Sequence, residues 1–254
     1  MANPHGSFIW YELLTSDAGA AAEFYGDVVG WAARGAGMDG VDYRLFSADD
    51  GGDVAGFMTM PAEMAMPPGW IGYIGVDDVD AAVDNLVAAG GAVHMPAMDM
   101  EGVGRMAMVA DPQGAIFYLM RGASEEASRS FAPSVRGHAC WNELSTSDQP
   151  AALAFYTAQY GWTKGDVMPM GEMGDYQFID HRGEMIGAVM RAPQDAPTAW
   201  NFCFNTGDID AAAARVTKGG GSIHYGPAEI PGGDFVINAT DPQGAAFMLR
   251  GARK

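Results

Sequence analysis

The chain has 254 residues, of which 48% are hydrophobic and 11% aromatic, enough for one large folded domain or two ordinary ones. Its formal net charge of −18 at pH 7 argues against nucleic acid or an anionic membrane surface as a partner, because both would repel the protein. Two cysteines are too few for a disulfide framework, and neither a secretory signal nor an apolar run of membrane-spanning length occurs, so we expect a globular, unexported, cytoplasmic protein.

The first predicted elements are a strand, WYELLTSD at 10–17, and a helix over 16–29. Ser16 or Asp17 is placed to cap the helix. Apolar residues recur at helical spacing through and just beyond it, at Ala21, Phe24, Val28 and Trp31. A strand therefore leads directly into a helix.

The same order recurs at 71–91, where IGYIGV precedes a second helix. Val79, Val83 and Leu86 fall on one face of that helix, and Gly90 is placed to end it. Three short strand candidates follow each helix, which gives a βαβββ module. In DPQG at 111–114, Asp, Pro and Gly stand at the positions preferred in a type I turn, so it predicts a tight turn between two strands.

The modules are repeated at an offset of 130 or 131 residues. Four pairs of segments match: WYELLTSD with WNELSTSD (141–148), FYGDVVGW (24–31) with FYTAQYGW (155–162), residues 76–94 with 206–224, and DPQGAIFYL (111–119) with DPQGAAFML (241–249). A Ser-, Ala- and charge-rich segment lies between the copies. We therefore predict a first domain at 1–120, a linker at 121–136 and a second domain at 137–254. The expected fold is α+β, with four modules in two pairs whose strands curl around a space.

These segments in this order, once in 7–120 and again in 137–250, resemble the vicinal oxygen chelate superfamily, which includes glyoxalase I, bleomycin resistance proteins and extradiol dioxygenases. The pairing of W-x-E-L-x-T-S-D with GRMAMVADPQGA is most similar to its tandem-domain, glyoxalase-like branch. The resemblance implies a cup-shaped barrel in each half and, in many members, a divalent metal at the centre.

At the positions where the resemblance implies metal ligands, this chain carries other residue types. Those positions hold Trp10, Ile71, Tyr118, Trp141, Asn201 and Met248, with the remaining pair near Leu45 and Phe178. Such side chains do not make a site for zinc, nickel, iron or manganese. We therefore expect no metal and no other cofactor, and a mostly apolar pocket instead. The predicted ligand-binding residues are Trp10, Tyr73, Tyr118, Trp141, Asn201 and Met248.

Glu12 and Glu143 lie two residues beyond Trp10 and Trp141, so strand alternation places each glutamate on the face of its tryptophan. A carboxyl group in an apolar pocket can act as a general acid or base, or pair with a cationic ligand. These two glutamates are the catalytic candidates. The alternative is that each accepts hydrogen bonds from neighbouring groups and stabilises the barrel.

Other residues with reactive side chains are assigned structural roles, with their alternatives left open. His138, His181 and His224 could form a metal site with Glu143 outside the family pattern, but surface or loop roles are favoured. Arg105 could bind a ligand carboxylate, but a rim ion pair is favoured. The two cysteines, Cys140 and Cys203, have no activating neighbour in sequence and are expected to be inert packing.

The leading hypothesis is a metal-independent protein that binds an aromatic or amphipathic metabolite or antibiotic, as resistance proteins of this superfamily do by sequestration. The second is an enzyme, either a glyoxalase-like lyase or isomerase using Glu12 or Glu143, or a hydroxylase-like or dioxygenase-like enzyme. A third is a surface antigen with an interaction role. The expected partner is a small molecule, and two fused domains make a monomer plausible.

Overall fold

The computed structural model describes residues 3–38, 40–61, 64, 66–194 and 196–254. The first half contains two βαβββ modules. The first module comprises β1 (Phe8–Thr15), α1 (Ala18–Val29), β2 (Ala32–Gly35), β3 (Tyr43–Ser47) and β4 (Asp53–Thr59). The second comprises β5 (Gly69–Gly75), α2 (Val79–Ala88), β6 (Ala92–Met100), β7 (Gly104–Ala110) and β8 (Ile116–Gly122).

The second half repeats this order of elements. Its third module comprises β9 (Ala139–Thr146), α3 (Gln149–Tyr160), β10 (Thr163–Pro169), β11 (Asp175–His181) and β12 (Glu184–Arg191). Its fourth comprises β13 (Ala199–Asn205), α4 (Ile209–Lys218), β14 (Ser222–Glu229), β15 (Phe235–Thr240) and β16 (Ala246–Gly251). The predicted module pattern is confirmed in both halves.

The strands form two mixed sheets of eight strands each. Their orders are β2-β3-β4-β1-β5-β8-β7-β6 and β10-β11-β12-β9-β13-β16-β15-β14. Within a module the first strand pairs in parallel with the last, as β1 does with β4 and β9 with β12, while the other pairs are antiparallel. The α+β class and the tandem arrangement are thus confirmed.

Each helix begins where an aspartate accepts hydrogen bonds from the first turn. Asp17 and Asp148 accept from the backbone N–H three residues on, as do Asp78 and Asp208 in the other two helices. Gly30 ends α1 in the left-handed region, with φ of 94°. The position of Trp31 agrees with prediction, and one detail of α2 differs.

Trp31 lies beyond the end of α1, because the helix stops before Gly30, although its side chain is buried. On α2 the buried residues are Val79, Ala82 and Leu86, whereas Val83 is only partly buried. The three-residue spacing from Val79 to Ala82 therefore replaces the four-residue spacing to Val83 on the packed face.

The predicted DPQG turn is present in both halves, between β7 and β8 and between β15 and β16. In the first copy the Asp111 side chain accepts hydrogen bonds from the backbone N–H groups of Gln113 and Ala115, both at 2.9 Å. The backbone N–H of Gly114 donates to the Asp111 carbonyl at 3.0 Å and closes the turn. Asp241 makes the same pair of side-chain contacts in the second copy.

Contacts divide the described residues into two compact units, and each unit takes one module from each half. The first unit comprises residues 3–9, 72–128 and 141–200, so it contains the second and third modules. The other comprises residues 10–71, 129–140 and 201–254, and contains the first and fourth modules. The predicted domain boundaries along the sequence remain predictions.

A buried relay of three side chains joins the modules of the first-and-fourth-module unit. Trp70 Nε1 donates to the Tyr25 hydroxyl at 2.8 Å, and Tyr25 donates to Asp241 Oδ2 at 3.1 Å. Tyr25 also packs against the rings of Trp31 and Phe247. The FY…GW segment of one half is thereby connected to the DPQG turn of the other.

The second-and-third-module unit contains the matching relay. Trp200 Nε1 donates to the Tyr156 hydroxyl at 3.0 Å, and Tyr156 donates to Asp111 Oδ2, also at 3.0 Å. Tyr156 stacks on Trp162, with ring centroids 5.0 Å apart and planes 7° from parallel. The repeated motifs therefore form the polar and aromatic centre of each unit.

Candidate functional site

A cluster of three polar aromatic and acidic side chains occupies one face of the third module. Trp141 and Glu143 lie on β9 and Tyr176 lies on β11. Trp141 Nε1 donates to the Tyr176 hydroxyl at 2.8 Å, and that hydroxyl donates to Glu143 Oε2 at 2.6 Å. Phe178, also on β11, contacts the rings of both Trp141 and Tyr176. We call these four residues the Glu143 cluster.

Strand alternation explains how the Glu143 cluster forms. Residues two apart on a strand share a face, so Trp141 and Glu143 project together from β9, and Tyr176 and Phe178 project together from β11. The predicted common face of Trp141 and Glu143 agrees with their shared contact with Tyr176. In the sheet β12 lies between β9 and β11, and its Ala188 is opposite Glu143.

The Glu143 carboxyl group lies in a mostly apolar environment, and this burial raises its pKa above the usual value, while the hydrogen bond from Tyr176 acts in the opposite direction. The residue is nevertheless partly accessible. A carboxyl group with these properties can accept a hydrogen bond from a ligand or exchange a proton with it.

The first module carries the corresponding residues with a more deeply buried carboxyl group. Trp10 Nε1 donates to the Tyr43 hydroxyl at 3.2 Å, as Trp141 does to Tyr176, and Glu12 is only 5% exposed, whereas Glu143 is partly accessible. Gly56 on β4 lies opposite Glu12, and a side chain at Gly56 would overlap the Tyr43 hydroxyl. In the third module Ala188 takes the place of Gly56. The Tyr43 hydroxyl thus occupies space beside Glu12, whereas the Ala188 methyl group occupies the equivalent space beside Glu143.

The second module brings two predicted ligand-binding residues together. Tyr73 on β5 and Tyr118 on β8 are direct partners in a parallel pair, and their rings stack at 4.3 Å with planes 18° apart. Met108 on β7 lies opposite Tyr118 and Met95 on β6 lies opposite Met108, so this row continues with flexible thioether side chains. In the fourth module the equivalents of the tyrosines are Cys203 and Met248.

The remaining predicted ligand-binding residues of the second half are Asn201 and Met248. Asn201 is partly exposed on β13, and Met248 is buried on β16. No observation here assigns either to a ligand, so both stay predictions. The same holds for Trp10 and for the catalytic role proposed for Glu12.

The surface or loop role predicted for the histidines holds for His138 only as to the loop, because it lies just before β9 but its side chain is completely buried; the same prediction is wrong for His181, which is buried at the end of β11. The Nδ1 of His138 lies 2.6 Å from the Arg129 carbonyl oxygen and its Nε2 lies 3.3 Å from Asp50 Oδ1, so the ring connects the segment before β9 with the turn before β4. His181 is also mostly buried, which lowers its pKa, whereas His224 is exposed on β14 as expected.

Arg105 and the two cysteines adopt the structural roles favoured by the sequence. Arg105 forms ion pairs with Asp80 at 2.7 Å and with Asp99 at 3.0 Å, so its guanidinium is already engaged at the rim. Cys140 and Cys203 are both buried free thiols.

Sequence reasoning did not identify Tyr43 and Tyr176, although each completes a cluster. A signal was present, because DYRLF at 42–46 matches DYQFI at 175–179 and places a tyrosine after an aspartate in both halves. The offset of this match is 133 rather than 130 or 131, because the stretch from Thr163 at the start of β10 to Asp175 is two residues longer than the stretch from Ala32 at the start of β2 to Asp42. A search at constant offset therefore misses it.

The positions at which the resemblance implies a metal do not fit one. The indole nitrogen of Trp141 carries a hydrogen and donates it to Tyr176, so it has no lone pair for an ion. Tyr118 is committed to a stack with Tyr73, and Ile71 is a buried alkyl side chain. In the described part of the chain no group of three or more His, Cys, Asp or Glu residues could hold an ion. No chemical step is therefore derived through a metal.

Two kinds of comparison relate the sequence to known proteins. The family model of the Glyoxalase/Bleomycin resistance protein/Dioxygenase superfamily matches residues 7–118 and 137–249. The putative glyoxylase CFP32 of Mycobacterium tuberculosis is 37% identical over 248 residues, covering 94% of this chain and 92% of that protein. The anthracycline biosynthesis protein DnrV of Streptomyces peucetius is 32% identical over 265 residues, covering 96% and 92%.

Solved structures of low sequence identity share the fold. The Mn(II)-bound glyoxalase from Novosphingobium aromaticivorans has a TM-score of 0.66 at 19% identity, covering 98% of this chain and 82% of that one. The 2,3-dioxygenase LapB from Pseudomonas sp. KL28 has a TM-score of 0.65 at 15% identity, covering 98% and 92%. At these identities the likeness concerns the fold alone. Together with the tandem βαβββ modules, the family match shows that the chain belongs to the Glyoxalase/Bleomycin resistance protein/Dioxygenase superfamily.

Proposed function

We propose that this protein is a metal-independent small-molecule-binding member of its superfamily, and that its ligand is an aromatic or amphipathic metabolite or antibiotic. The observation that carries the proposal is the Glu143 cluster, in which tryptophan, tyrosine and phenylalanine surround one partly accessible carboxyl group. Concave sites for small molecules combine aromatic walls with a few polar groups in this way.

The chemistry of the side chains supports binding without a metal. Tryptophan and tyrosine occupy positions that the resemblance assigns to ligands of the ion, and the indole of Trp141 is a hydrogen-bond donor. Aromatic rings at these positions offer flat apolar surface, which favours a flat ligand over an ion. Tyr73 and Tyr118 stack on each other in the buried interior of the second module, so the Glu143 cluster, whose Trp141 and Phe178 are partly accessible, is the better candidate for a ligand.

The relatives support an aromatic ligand class. DnrV of Streptomyces peucetius and DauV of Streptomyces sp. (strain C5) are both described as anthracycline biosynthesis proteins, and each is 32% identical to this chain over almost its whole length. An anthracycline is therefore a suitable first probe of binding.

The first test is the metal content of untagged protein, purified without chelator and then offered zinc, nickel, manganese and iron(II), by elemental mass spectrometry. We expect near-zero metal per chain after each ion is removed by gel filtration. The same sample should then bind a fluorescent anthracycline in a titration. A stoichiometric ion that resists gel filtration would contradict the proposal and make a metal-dependent lyase or dioxygenase the leading function.

A second candidate function is an acid–base enzyme, for which the raised pKa of Glu143 is the specific observation. The relative in Mycobacterium tuberculosis is described as a putative glyoxylase, so a glyoxalase substrate is the natural one to test. If the protein turns it over, Glu143→Gln should lower kcat by at least about a hundredfold, the usual contribution of a positioned acid or base. Turnover that persists in Glu143→Gln would remove Glu143 from the catalytic role.

A further inference from the structure

The direction of the hydrogen bonds in the Glu143 cluster is fixed by its chemistry. The Trp141 indole N–H can only donate, so it occupies a lone pair of the Tyr176 oxygen at 2.8 Å. The Tyr176 hydroxyl in turn donates its hydrogen to Glu143 Oε2 at 2.6 Å. Both hydrogen bonds therefore run towards the carboxylate and leave it as the terminal acceptor.

The other carboxylate oxygen is not used by the protein. Within the described residues Oε1 of Glu143 takes part in no hydrogen bond, and it is not among the fully buried unpartnered atoms. A carboxylate can accept about four hydrogen bonds, so most of this capacity is unfilled. An unfilled acceptor at an accessible position among aromatic rings is suited to a donor brought by a ligand.

The accessible rings of the Glu143 cluster define the rest of the ligand. Trp141 and Phe178 are both partly accessible and lie nearly perpendicular, with centroids 5.8 Å apart and planes 78° from parallel. An aromatic ring packs favourably against such surfaces in stacked or edge-to-face geometry. A ligand carboxylate would instead be repelled by Glu143 and by the net charge of −18.

The corresponding carboxylate in the first half is placed differently. Glu12 is buried, and the Tyr43 hydroxyl fills the space above Gly56, the residue opposite Glu12. The two halves thus differ in how deeply the equivalent glutamates, Glu12 and Glu143, are buried.

We propose that Glu143 accepts a hydrogen bond from a phenolic hydroxyl of a flat aromatic ligand whose ring packs against Trp141 and Phe178, and that Glu12 has no such role. This inference rests on the proposed function, because it names the ligand group that the Glu143 cluster recognises. A phenol combines a flat ring with a donor at its edge, so one rigid group satisfies both surfaces.

The test compares 2-naphthol, whose oxygen carries a hydrogen to donate, with 2-methoxynaphthalene, whose oxygen carries a methyl group instead; their affinities are measured by fluorescence titration near neutral pH. Wild-type protein should bind 2-naphthol about tenfold more tightly, the low end for a hydrogen bond to a charged group. Glu143→Leu should bind the two probes equally, whereas the matched control Glu12→Leu should keep the preference. Circular dichroism and binding of 2-methoxynaphthalene verify that each variant is folded, and Glu12→Gln replaces Glu12→Leu if the latter does not fold.

The outcomes separate this inference from the proposed function. If wild type binds both probes equally, or if Glu143→Leu keeps the preference for 2-naphthol, the phenol inference is wrong while aromatic binding stands. If Glu12→Leu loses the preference as fully as Glu143→Leu does, the assignment to the second half is wrong. If wild type binds neither probe, both the inference and the proposed ligand class fail.

Discussion

At Glu143, burial and hydrogen bonding act in opposite directions on one carboxyl group. Desolvation raises the pKa because water no longer solvates the charged form, and the Tyr176 hydroxyl only partly compensates. Such a group makes folding less favourable when it is ionised. Because the ionised Glu143 side chain makes folding less favourable, we expect its role to be functional rather than stabilising.

We expect Glu143→Gln to stabilise the protein at neutral pH. Because the folded-state pKa is raised, the favourable contribution of the protonated group is complete below the unfolded pKa and is lost as pH rises through the folded pKa. The neutral amide removes this loss while keeping an oxygen for Tyr176. The melting temperature should therefore exceed that of wild type by roughly 2–4 °C for each kcal/mol gained, and the difference should vanish in acid.

The control for this measurement is Glu23→Gln, an exposed glutamate on α1. It should leave the melting temperature nearly unchanged at every pH. A lower melting temperature in Glu143→Gln at neutral pH would mean that the hydrogen bond from Tyr176 outweighs desolvation, and that the carboxylate is a stabilising element of the module.

Residue-scale prediction from sequence worked where the relation is local. The shared face of Trp141 and Glu143 follows from a period of two along one strand. The different burial of Glu12 and Glu143 does not, because it depends on Gly56 and Ala188 on a neighbouring strand whose register is known only from the structure. Tyr43 and Tyr176 were missed for a different reason, because the match between DYRLF and DYQFI lies at an offset of 133 rather than 130 or 131.

At the scale of elements, the FY…GW segments and the DPQG turns act across the halves. Tyr25 and Tyr156 each receive a hydrogen bond from an indole and donate one to an aspartate more than 40 residues away. Burial raises the pKa of both Tyr hydroxyls, so the phenols remain protonated donors. Helix ends were predictable from local capping, but this pairing of a helix with a distant turn has no local signal.

The relays predict that Tyr156 and Tyr160, which both lie on α3, contribute very differently to the free energy of unfolding. Tyr156→Phe should destabilise the protein by about 1–3 kcal/mol, because Trp200 Nε1 loses its acceptor and Asp111 loses a donor in the interior. Tyr25→Phe should behave alike in the other unit. Tyr160→Phe is the matched control, since its buried hydroxyl has no hydrogen-bond partner among the described residues and its removal should be neutral or stabilising.

Urea denaturation of the three variants measures these free energies of unfolding. Equal destabilisation by Tyr156→Phe and Tyr160→Phe would show that loss of polarity or packing, rather than the relay, sets the cost. The slope of the transition should stay constant, because the same surface is exposed on unfolding.

At the scale of the whole molecule, the division along the sequence and the division in space differ. The family model matches one segment in each half, yet each compact unit combines modules from both halves. In the unit with the first and fourth modules, for example, the Tyr25 hydroxyl of one half donates to Asp241 of the other.

In the described residues no helix is long and apolar enough to cross a membrane.

This arrangement predicts that the two halves do not fold independently as monomers. A cut between Glu125 and Glu126, both exposed, separates the halves without removing a helix or strand. Alone, the first half lacks Asp241 for Tyr25 and Tyr156 for Asp111, so it leaves buried polar groups unpaired and apolar helix faces uncovered.

We expect each half alone to be unfolded or self-associated, the two co-expressed halves to form a one-to-one complex, and the intact chain to be monomeric. Multi-angle light scattering with circular dichroism distinguishes these states. A half that is monomeric and cooperatively folded by itself would show that the relays are dispensable and that the sequence repeat is the folding unit.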